Sequence, residues 1–146
     1  MVPDAQEKSG LAEIKPGVLD AAARQAYAVV FDARRDTTGG LGTLESELAG
    51  AQFFDVVVNG ETVARYALQS VTRAAGVEVF IVGAAGNVKG ADLTLSVLPH
   101  IEQQCAAADR LTVNTRRRGL VKKLLGQGWT LDSFVLRKKL HGRQVK

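Results

Sequence analysis

The second half of this chain alternates strand-like and helix-like patterns, and this alternation limits the folds that it can adopt. Residues 77–82 are apolar apart from Glu78, which is typical of a central strand covered on both faces. A Gly-rich stretch follows at residues 83–90, and residues 91–108 then place apolar side chains at helical spacing. The order predicts an α/β protein whose Gly-rich turn precedes a helix, the position where phosphate groups bind.

The first half of the chain predicts two strands joined by a tight turn, with helices around them. Asn59 and Gly60 separate two β-rich runs, and this dipeptide is a strong hairpin signal because both turn positions need a positive φ angle. The predicted elements are a strand at 11–15, a helix at 17–35 that Pro16 initiates, a helical turn at 44–48 and strands at 53–58 and 61–69.

The end of the chain predicts a short strand at residues 111–113, an amphipathic helix and a final strand at residues 129–140. Thr115 is the expected cap of the helix, and Gly126 or Gly128 is expected to end it. The predicted core face of the helix consists of Leu120, Val121, Leu124 and Leu125, and the predicted buried residues of the strand are Leu131, Phe134 and Leu136.

The helix at residues 91–108 contains a proline, which removes a backbone donor and clashes with the preceding turn. We therefore expect a kink at Pro99 or a helix that begins near Ser96. Together, these elements predict a mixed sheet with helices on both faces.

Composition indicates one globular domain, since 146 residues with 46% hydrophobic content fit a single core. Asp4, Glu7 and Lys8 interrupt the N-terminus, and the apolar run at residues 77–85 is too short to cross a bilayer, so we expect neither a signal peptide nor a membrane partner. The single Cys105 excludes an internal disulfide and indicates either a reducing compartment or a thiol that plays no part, and we expect a cytoplasmic protein. It lies on the apolar stripe of its helix and is expected to pack as a small hydrophobic residue.

Positive charge is concentrated near the C-terminus of a chain whose net charge is +4. We divide the chain into a flexible polar arm at residues 1–10, one domain at residues 11–140 and a basic tail at residues 141–146. The basic surface could bind nucleic acid or an acidic partner, or it could be a solvated helix face. Its residues are Arg116, Arg117, Arg118, Lys122, Lys123, Arg137, Lys138, Lys139, Arg143 and Lys146.

The pair Asn114-Thr115, followed by Leu124-Leu125-Gly126-Gln127-Gly128-Trp129, resembles the GNAT superfamily of acyl-CoA-dependent N-acetyltransferases. In that family a strand ends in asparagine, and the next helix closes on a Gly-aromatic pair. The resemblance covers roughly residues 53–140 and implies a GNAT-like, mostly antiparallel sheet with helices on both faces.

The resemblance implies a CoA site in the Gly-rich stretch. In the family, backbone N–H groups of the turn and of the following helix N-terminus bind the CoA pyrophosphate. The nearest register here is residues 87–92, where Asn87 replaces the usual long polar residue and Gly90 matches. Asp92 replaces a small residue and would repel a pyrophosphate, an effect that Lys89 would partly offset.

The same resemblance assigns roles to residues near the sheet centre. Ile81, Val82 and Gly83 would line the pantetheine cleft, with the N–H groups of the last two polarising the thioester carbonyl, and Asn114 would border the cofactor. Glu78 is a candidate general base for the attacking amine, and it is equally a salt-bridged or solvent-facing strand residue.

Two departures from the family pattern favour a degenerate member as the first functional hypothesis. The family's thiolate-protonating tyrosine falls near Leu124, which has no proton to give, and Asp92 occupies the phosphate turn. The chain is also similar in size and pattern to small GNAT-like proteins encoded in tailed-bacteriophage structural gene clusters. That likeness implies a structural component, with no cofactor, that binds other protein subunits through its N-terminal arm and is found in the virion if phage-encoded.

Two further hypotheses remain open. The first is an acetyl-CoA-dependent N-acetyltransferase, and the second is a basic nucleic-acid-binding module. A metal site is not expected, because His100 and His141 have no cysteine or carboxylate at ligand spacing.

Overall fold

The computed structural model describes residues 12–32, 35–86 and 93–141, and a five-stranded sheet forms its centre. The strands are β1 (Glu13–Gly17), β2 (Gln52–Val58), β3 (Glu61–Arg73), β4 (Gly76–Gly86) and β5 (Arg110–Val113). They lie side by side in chain order, and every neighbouring pair is antiparallel except β4 and β5, which are parallel. The predicted mixed, mostly antiparallel sheet is confirmed.

Helices cover this sheet, and the first of them is shorter than predicted. Pro16 lies within β1, an edge strand that tolerates a missing N–H donor, and therefore does not initiate the helix. Asp20 caps the helix instead, because its carboxylate accepts a hydrogen bond from the Ala23 N–H at 2.9 Å. The helices are α1 (Ala21–Tyr27) with a 3-10 turn (Ala28–Phe31), α2 (Leu44–Leu48), α3 (Leu93–Gln104) and α4 (Arg118–Leu125).

The hairpin between β2 and β3 is confirmed. Asn59 and Gly60 have φ angles of 52° and 80°, the positive values that a two-residue turn of this kind requires. β3 extends to Arg73, beyond the predicted end at residue 69.

Two hydrophobic clusters lie on opposite faces of the sheet. Because side chains alternate along a strand, β3 contributes Tyr66 to one cluster and Ala67 to the other. The first cluster, beneath α3, contains Val56, Ala64, Tyr66, Leu68, Val97 and Ile101. The second, beneath α1 and α2, contains Ala23, Tyr27, Leu48 and Ala67. Helices on both faces are therefore confirmed.

The free Cys105 is half-buried and packs against the first cluster, as predicted. Burial raises the pKa of its thiol, which disfavours the reactive thiolate. The structure gives this residue a packing role.

α3 begins at Leu93 and continues through Pro99, so the alternative start near Ser96 is wrong. The proline is exposed, while Val97 and Ile101 on either side of it are buried. Packing of the flanking residues onto the sheet therefore maintains the helix across a position that lacks an N–H donor.

The predicted cap of α4 is wrong. Arg117 occupies the cap position, and the Thr115 hydroxyl accepts a hydrogen bond from the Arg117 N–H at 3.1 Å, upstream of the helix. The predicted C-terminal stop is confirmed, since Gly128 has a φ angle of 91° and the Trp129 N–H donates to the Leu124 carbonyl at 3.0 Å. This pattern is a Schellman motif, which needs a residue in the left-handed conformation.

The predicted core face of α4 is correct for three of its four residues. Leu124 is buried, and Leu120 and Val121 are half-buried. Leu125 is 49% exposed, so it does not belong to the core.

Residues 129–141 form no helix or strand, so the predicted final strand is wrong. The Arg137 guanidinium donates a hydrogen bond to the Thr37 carbonyl, an interaction that needs no strand pairing. The three residues expected to be buried here are exposed instead: Leu131 to 57%, Phe134 to 82% and Leu136 to 94%.

Several predictions fall outside the described residues. These include the polar arm, nearly all of the basic tail, and the predicted pyrophosphate-binding register at residues 87–92. The preceding residues 83–86 belong to β4. No helix in the described ranges has the length and apolar character needed to cross a membrane.

Candidate functional site

The sheet opens where β4 and β5 separate. The two strands pair from Glu78 opposite Arg110 to Ile81 opposite Val113, whereas β4 continues to Gly86. Parallel strands that part beyond their C-terminal ends create a crevice in which ligands commonly bind. The candidate site lies in this gap.

A β-bulge lies in β4 at the same point. Leu68 on β3 is opposite Ile81, but the preceding residue, Ala67, is opposite Gly83, so Val82 has no partner on β3. Pairing with β5 has also ended by this residue. Bulges release and redirect backbone groups, and they are frequent next to active sites.

A cavity of about 420 Å³ occupies the gap, a volume within the usual range of ligand pockets. It reaches both faces of the sheet, because Ile101 of the first cluster and Phe31, which packs against the second, both line it. The structure brings together on its wall four residues predicted to contact a cofactor: Ile81, Val82, Gly83 and Asn114. Three others lie outside the described residues: Asn87, Lys89 and Gly90.

The charged lining of this cavity is mostly positive. Among its described residues there are four cationic side chains and one carboxylate, that of Glu47. Arg65 already has a partner, since its Nε lies 3.6 Å from Oδ1 of Asp55 on the neighbouring strand. The four cationic residues are Arg35, Arg65, Arg117 and Lys123.

Glu47 reaches the cavity from α2, a helix with a reciprocal cap. The Thr43 hydroxyl accepts from the Ser46 N–H at 3.1 Å, and the Ser46 hydroxyl accepts from the Thr43 N–H at 2.8 Å. Gly42 leaves room for the carboxylate, because a Cβ at this position would lie 2.8 Å from Oε2 of Glu47. The sequence analysis predicted the helical turn but did not single out Glu47. The Thr-x-x-Ser pattern of Thr43 and Ser46 was the available signal for the helix start that positions Glu47.

The loop before α2 is held by a carboxylate. Asp36 accepts hydrogen bonds from the N–H and hydroxyl of Thr38 at 2.9 and 2.8 Å, and from the Gly40 N–H at 2.9 Å. These bonds, with the nearby Arg116 guanidinium, hold the pKa of Asp36 below its usual value. The Asp36 carbonyl also accepts from Arg116 at 3.4 Å. The loop thereby positions Arg35 on the cavity wall.

Glu78 lies in the paired part of β4, and it is not among the cavity-lining residues. Its carboxylate accepts from the Thr112 hydroxyl at 2.5 Å and from Nε of Arg73 at 2.6 Å, and Nε of Arg110 lies 3.2 Å away. The Thr112 hydrogen bond and the two guanidiniums keep the pKa of Glu78 below its usual value. This geometry fits the salt-bridged interpretation of Glu78. It does not fit a general base, which needs a free lone pair directed at a substrate.

Two cavity residues bear on proton donation to a leaving thiolate. Leu124 is buried and lines the cavity without offering a proton. The Tyr66 hydroxyl donates to Oε1 of Gln104 at 2.6 Å, and burial raises the pKa of Tyr66 to about 12. A phenol of such weak acidity is a poor acid for a thiolate.

A second cavity, also of about 420 Å³, lies between α4 and the C-terminal segment. Phe134 and Arg137 of that segment contribute to its wall, and Asn114 and Trp129 line both cavities. The Trp129 indole N–H donates to a Glu102 carboxylate oxygen at 3.1 Å, which fixes the start of the segment against α3. In the ranges that the structure describes, no three His, Cys, Asp or Glu side chains gather into a metal site.

No protein-family model and no curated protein matches this chain in sequence. Its structure is similar to a possible acetyltransferase from Clostridium difficile 630, with a TM-score of 0.59 and 12% identity over 90% of this chain and 99% of that one. Two aminoglycoside acetyltransferases from uncultured soil metagenomic samples are also similar. One has a TM-score of 0.51 and 12% identity, covering 88% of this chain and 99% of its own. The other, solved in complex with sisomicin, has a TM-score of 0.59 and 9% identity, and the match covers 91% of this chain and 97% of its own. The chain has a GNAT-like fold, and at these identities the likeness shows the fold alone.

Proposed function

We propose that this protein is an acyl-CoA-dependent N-acyltransferase that uses acetyl-CoA as its donor. The observation that carries the proposal is the cavity in the gap between β4 and β5, which residues from both faces of the sheet line. Transfer between two substrates requires that both reach one point in a fixed orientation. A cavity that reaches both faces of the sheet allows a donor and an acceptor to approach from opposite sides.

The bulge in β4 offers backbone hydrogen-bond donors for the reacting carbonyl. In N-acyl transfer the amine nitrogen attacks the thioester carbonyl carbon, and the carbon–sulfur bond breaks. Backbone N–H groups of Val82 and Gly83, which border the cavity, are suited to hydrogen-bond the carbonyl oxygen as negative charge develops on it. The nitrogen gives up one proton and the sulfur gains one. Because Leu124 cannot relay it, this proton exchange passes through solvent.

The α4 side of the cavity suits an anionic donor. Arg117 and Lys123 line the wall there, next to Asn114 at the end of β5. Bound acetyl-CoA would supply the acyl group as an activated thioester. Its negatively charged phosphates are compatible with this positive wall.

Calorimetric titration of acetyl-CoA into the protein tests the proposal. We expect binding with a Kd on the order of micromolar. Ala84 is exposed on the cavity wall, so Ala84→Trp should obstruct the cavity and weaken binding by about tenfold or more. Ala74→Trp, in the exposed turn before β4, is the matched control and should bind normally. Absence of binding to the folded wild-type protein would overturn the proposal, and so would equal weakening by both variants.

The second candidate is a GNAT-fold protein that lacks strong acyltransferase activity and acts as a structural or interaction component. Leu124 at the position of the family's proton donor favours it, as does the salt-bridged state of Glu78. The exposed apolar side chains of residues 129–141 would suit a protein interface. A role in a phage particle rests on the resemblance in size and pattern and stays a prediction. A folded protein without affinity for acetyl-CoA would favour this candidate.

The nucleic-acid-binding hypothesis also stays a prediction. Its residues on α4 are exposed, including Arg118 and Lys122. Binding to DNA or RNA through such residues should weaken steeply with salt, by about one logarithmic unit of affinity per logarithmic unit of salt concentration for each phosphate neutralised. Retention on a nucleic-acid column that does not change with salt would contradict it.

A further inference from the structure

We propose that the acceptor of this protein is an amine that carries its own negative charge, such as an α-amino acid. In this arrangement Glu47 holds the ammonium group and Arg35 holds the anionic group. The ammonium group releases one proton to solvent before its nitrogen attacks, and the nitrogen loses a second proton as the carbon–sulfur bond breaks and the sulfur gains one. The inference rests on the proposed acyltransferase function and names the substrate class for the same cavity.

Glu47 and Arg35 face the cavity from one side of the sheet. The first lies on α2 and the second on the loop that precedes it, and Thr37 and Thr38 of the same loop also line the wall. This side lies next to the cluster beneath α1 and α2, opposite the face that α3 covers.

Both charged groups remain available to a ligand. Arg35 and Glu47 form no salt bridge with each other, and neither pairs with another charged side chain among the described residues. The Glu47 carboxylate receives a long hydrogen bond, 3.5 Å, from the neighbouring Ser46 hydroxyl. Two opposite charges on one cavity wall, neither neutralised by the other, match a ligand that carries both signs.

The balance of charge in the cavity determines which amines fit. Four cationic side chains and a single carboxylate line its described wall, so an acceptor with several positive charges would be repelled. A simple amine would satisfy Glu47 and leave Arg35 unpaired. A zwitterion satisfies both, and a planar guanidinium can bind a carboxylate through two parallel hydrogen bonds.

Local hydrogen bonds hold the backbone on which the two groups are carried. Asp36 accepts three hydrogen bonds within the loop, directly after Arg35. The reciprocal cap of α2 fixes the turn that carries Glu47, and Gly42 provides space for its carboxylate. The backbone that carries Arg35 and Glu47 is therefore held in place before a ligand binds, which favours affinity and specificity.

The experiment compares L-amino acids with the amides of the same amino acids, using acetyl-CoA as donor and release of the CoA thiol as readout. Each pair differs by the carboxylate charge. We expect kcat/KM to be about tenfold or more higher for the acids. The amides carry more free amine at neutral pH, so a difference in intrinsic reactivity would have the opposite sign.

Two variants test the assigned roles. Arg35→Gln should remove the preference for acids over amides, while Arg118→Gln, an exposed residue outside both cavities, should keep it. Glu47→Gln should raise KM for acids and amides alike, and Glu61→Gln, exposed at the start of β3, should leave KM unchanged.

The outcomes separate this inference from the proposed function. A preference for amides or polyamines would overturn the inference, as would acetyl-CoA binding with no acetylation of any acid or amide. A preference for acids that persists in Arg35→Gln would overturn the role of that residue. Failure of the folded protein to bind acetyl-CoA in the calorimeter would instead remove the acyltransferase proposal itself.

Discussion

Replacing Tyr27 with phenylalanine should make the protein more stable. Its side chain is 1% exposed, and its hydroxyl has no hydrogen-bond partner among the residues that the structure describes. A buried polar group without a partner costs about 1–3 kcal/mol. Tyr27→Phe removes this oxygen and keeps the ring, whose centroid lies 6.0 Å from that of Phe53. We expect the free energy of unfolding to rise by about 1 kcal/mol, the lower end of that range, because the lost oxygen leaves a small void.

Tyr66 provides the matched comparison. It is 2% exposed, so its burial is nearly the same, but its hydroxyl donates to Gln104 at 2.6 Å. Tyr66→Phe loses that hydrogen bond and should lower the free energy of unfolding by about 1 kcal/mol. The same chemical change should therefore have opposite effects at the two positions, with a difference of about 2 kcal/mol.

Urea unfolding followed by circular dichroism measures both values, and an unchanged m-value would show that the unfolded state is comparable. In a thermal scan the two variants should move Tm in opposite directions, by about 2–4 °C each for a protein of this size. If Tyr27→Phe destabilised the protein as much as Tyr66→Phe, the Tyr27 hydroxyl would have to be hydrogen-bonded. The reasoning from its burial would then be wrong.

Three further predictions follow from other contacts. Burial raises the pKa of Tyr66 to about 12 and raises that of Tyr27, so ultraviolet absorbance of the native protein at about pH 11 should show only a minor fraction of tyrosinate, about a tenth of Tyr66. Unfolded tyrosines ionise near 10.0, so stability should be complete below that value and should fall as the pH rises further. Glu78→Gln should lower Tm at neutral pH, and the difference from wild type should shrink as the pH falls below 4.5 and through the lowered pKa of the native carboxyl. The rate of acyl transfer, measured at a temperature below Tm, should be the same for Glu78→Gln and for the wild type. Gly128→Ala should lower the free energy of unfolding by about 1 kcal/mol, because Gly128 has a positive φ angle. Gly119→Ala should raise it by about 0.5–1 kcal/mol, because Gly119 lies inside α4 with open space around it. The corresponding shifts of Tm are measured in the same thermal scans.

The sheet was predictable where a local signal and the tertiary structure agree. Asn59 and Gly60 determine a turn by their own φ preferences, and the flanking β-rich runs need only pair with each other. The apolar run at residues 77–82 identified a strand covered on both faces because burial on both sides leaves no polar alternation. These features depend on neighbours close in sequence or on burial alone.

The C-terminal segment was not predictable by the same means. Residues 129–140 have the apolar content of a strand, but a strand also needs a paired edge, and pairing is a property of the whole fold. Here the segment follows the Schellman motif at Gly128 and is held by Trp129 and Arg137 side chains. Its direction leaves Phe134 exposed, which composition could not indicate.

The candidate site shows why the sequence favoured a different carboxylate. Glu78 interrupts an apolar strand, so it is conspicuous in the sequence, but it lies opposite Arg110 at the start of the β4–β5 pairing. The gap opens beyond Ile81, three residues further along, which is about 10 Å at the rise of a strand and beyond the reach of a carboxylate. Glu47 is inconspicuous in sequence, and only the packing of α2 against β4 brings it to the cavity. The structure therefore assigns the first carboxylate to stability and leaves the second available for substrate. If Glu78→Gln abolished acyl transfer while Glu47→Gln left KM unchanged, this division would be reversed.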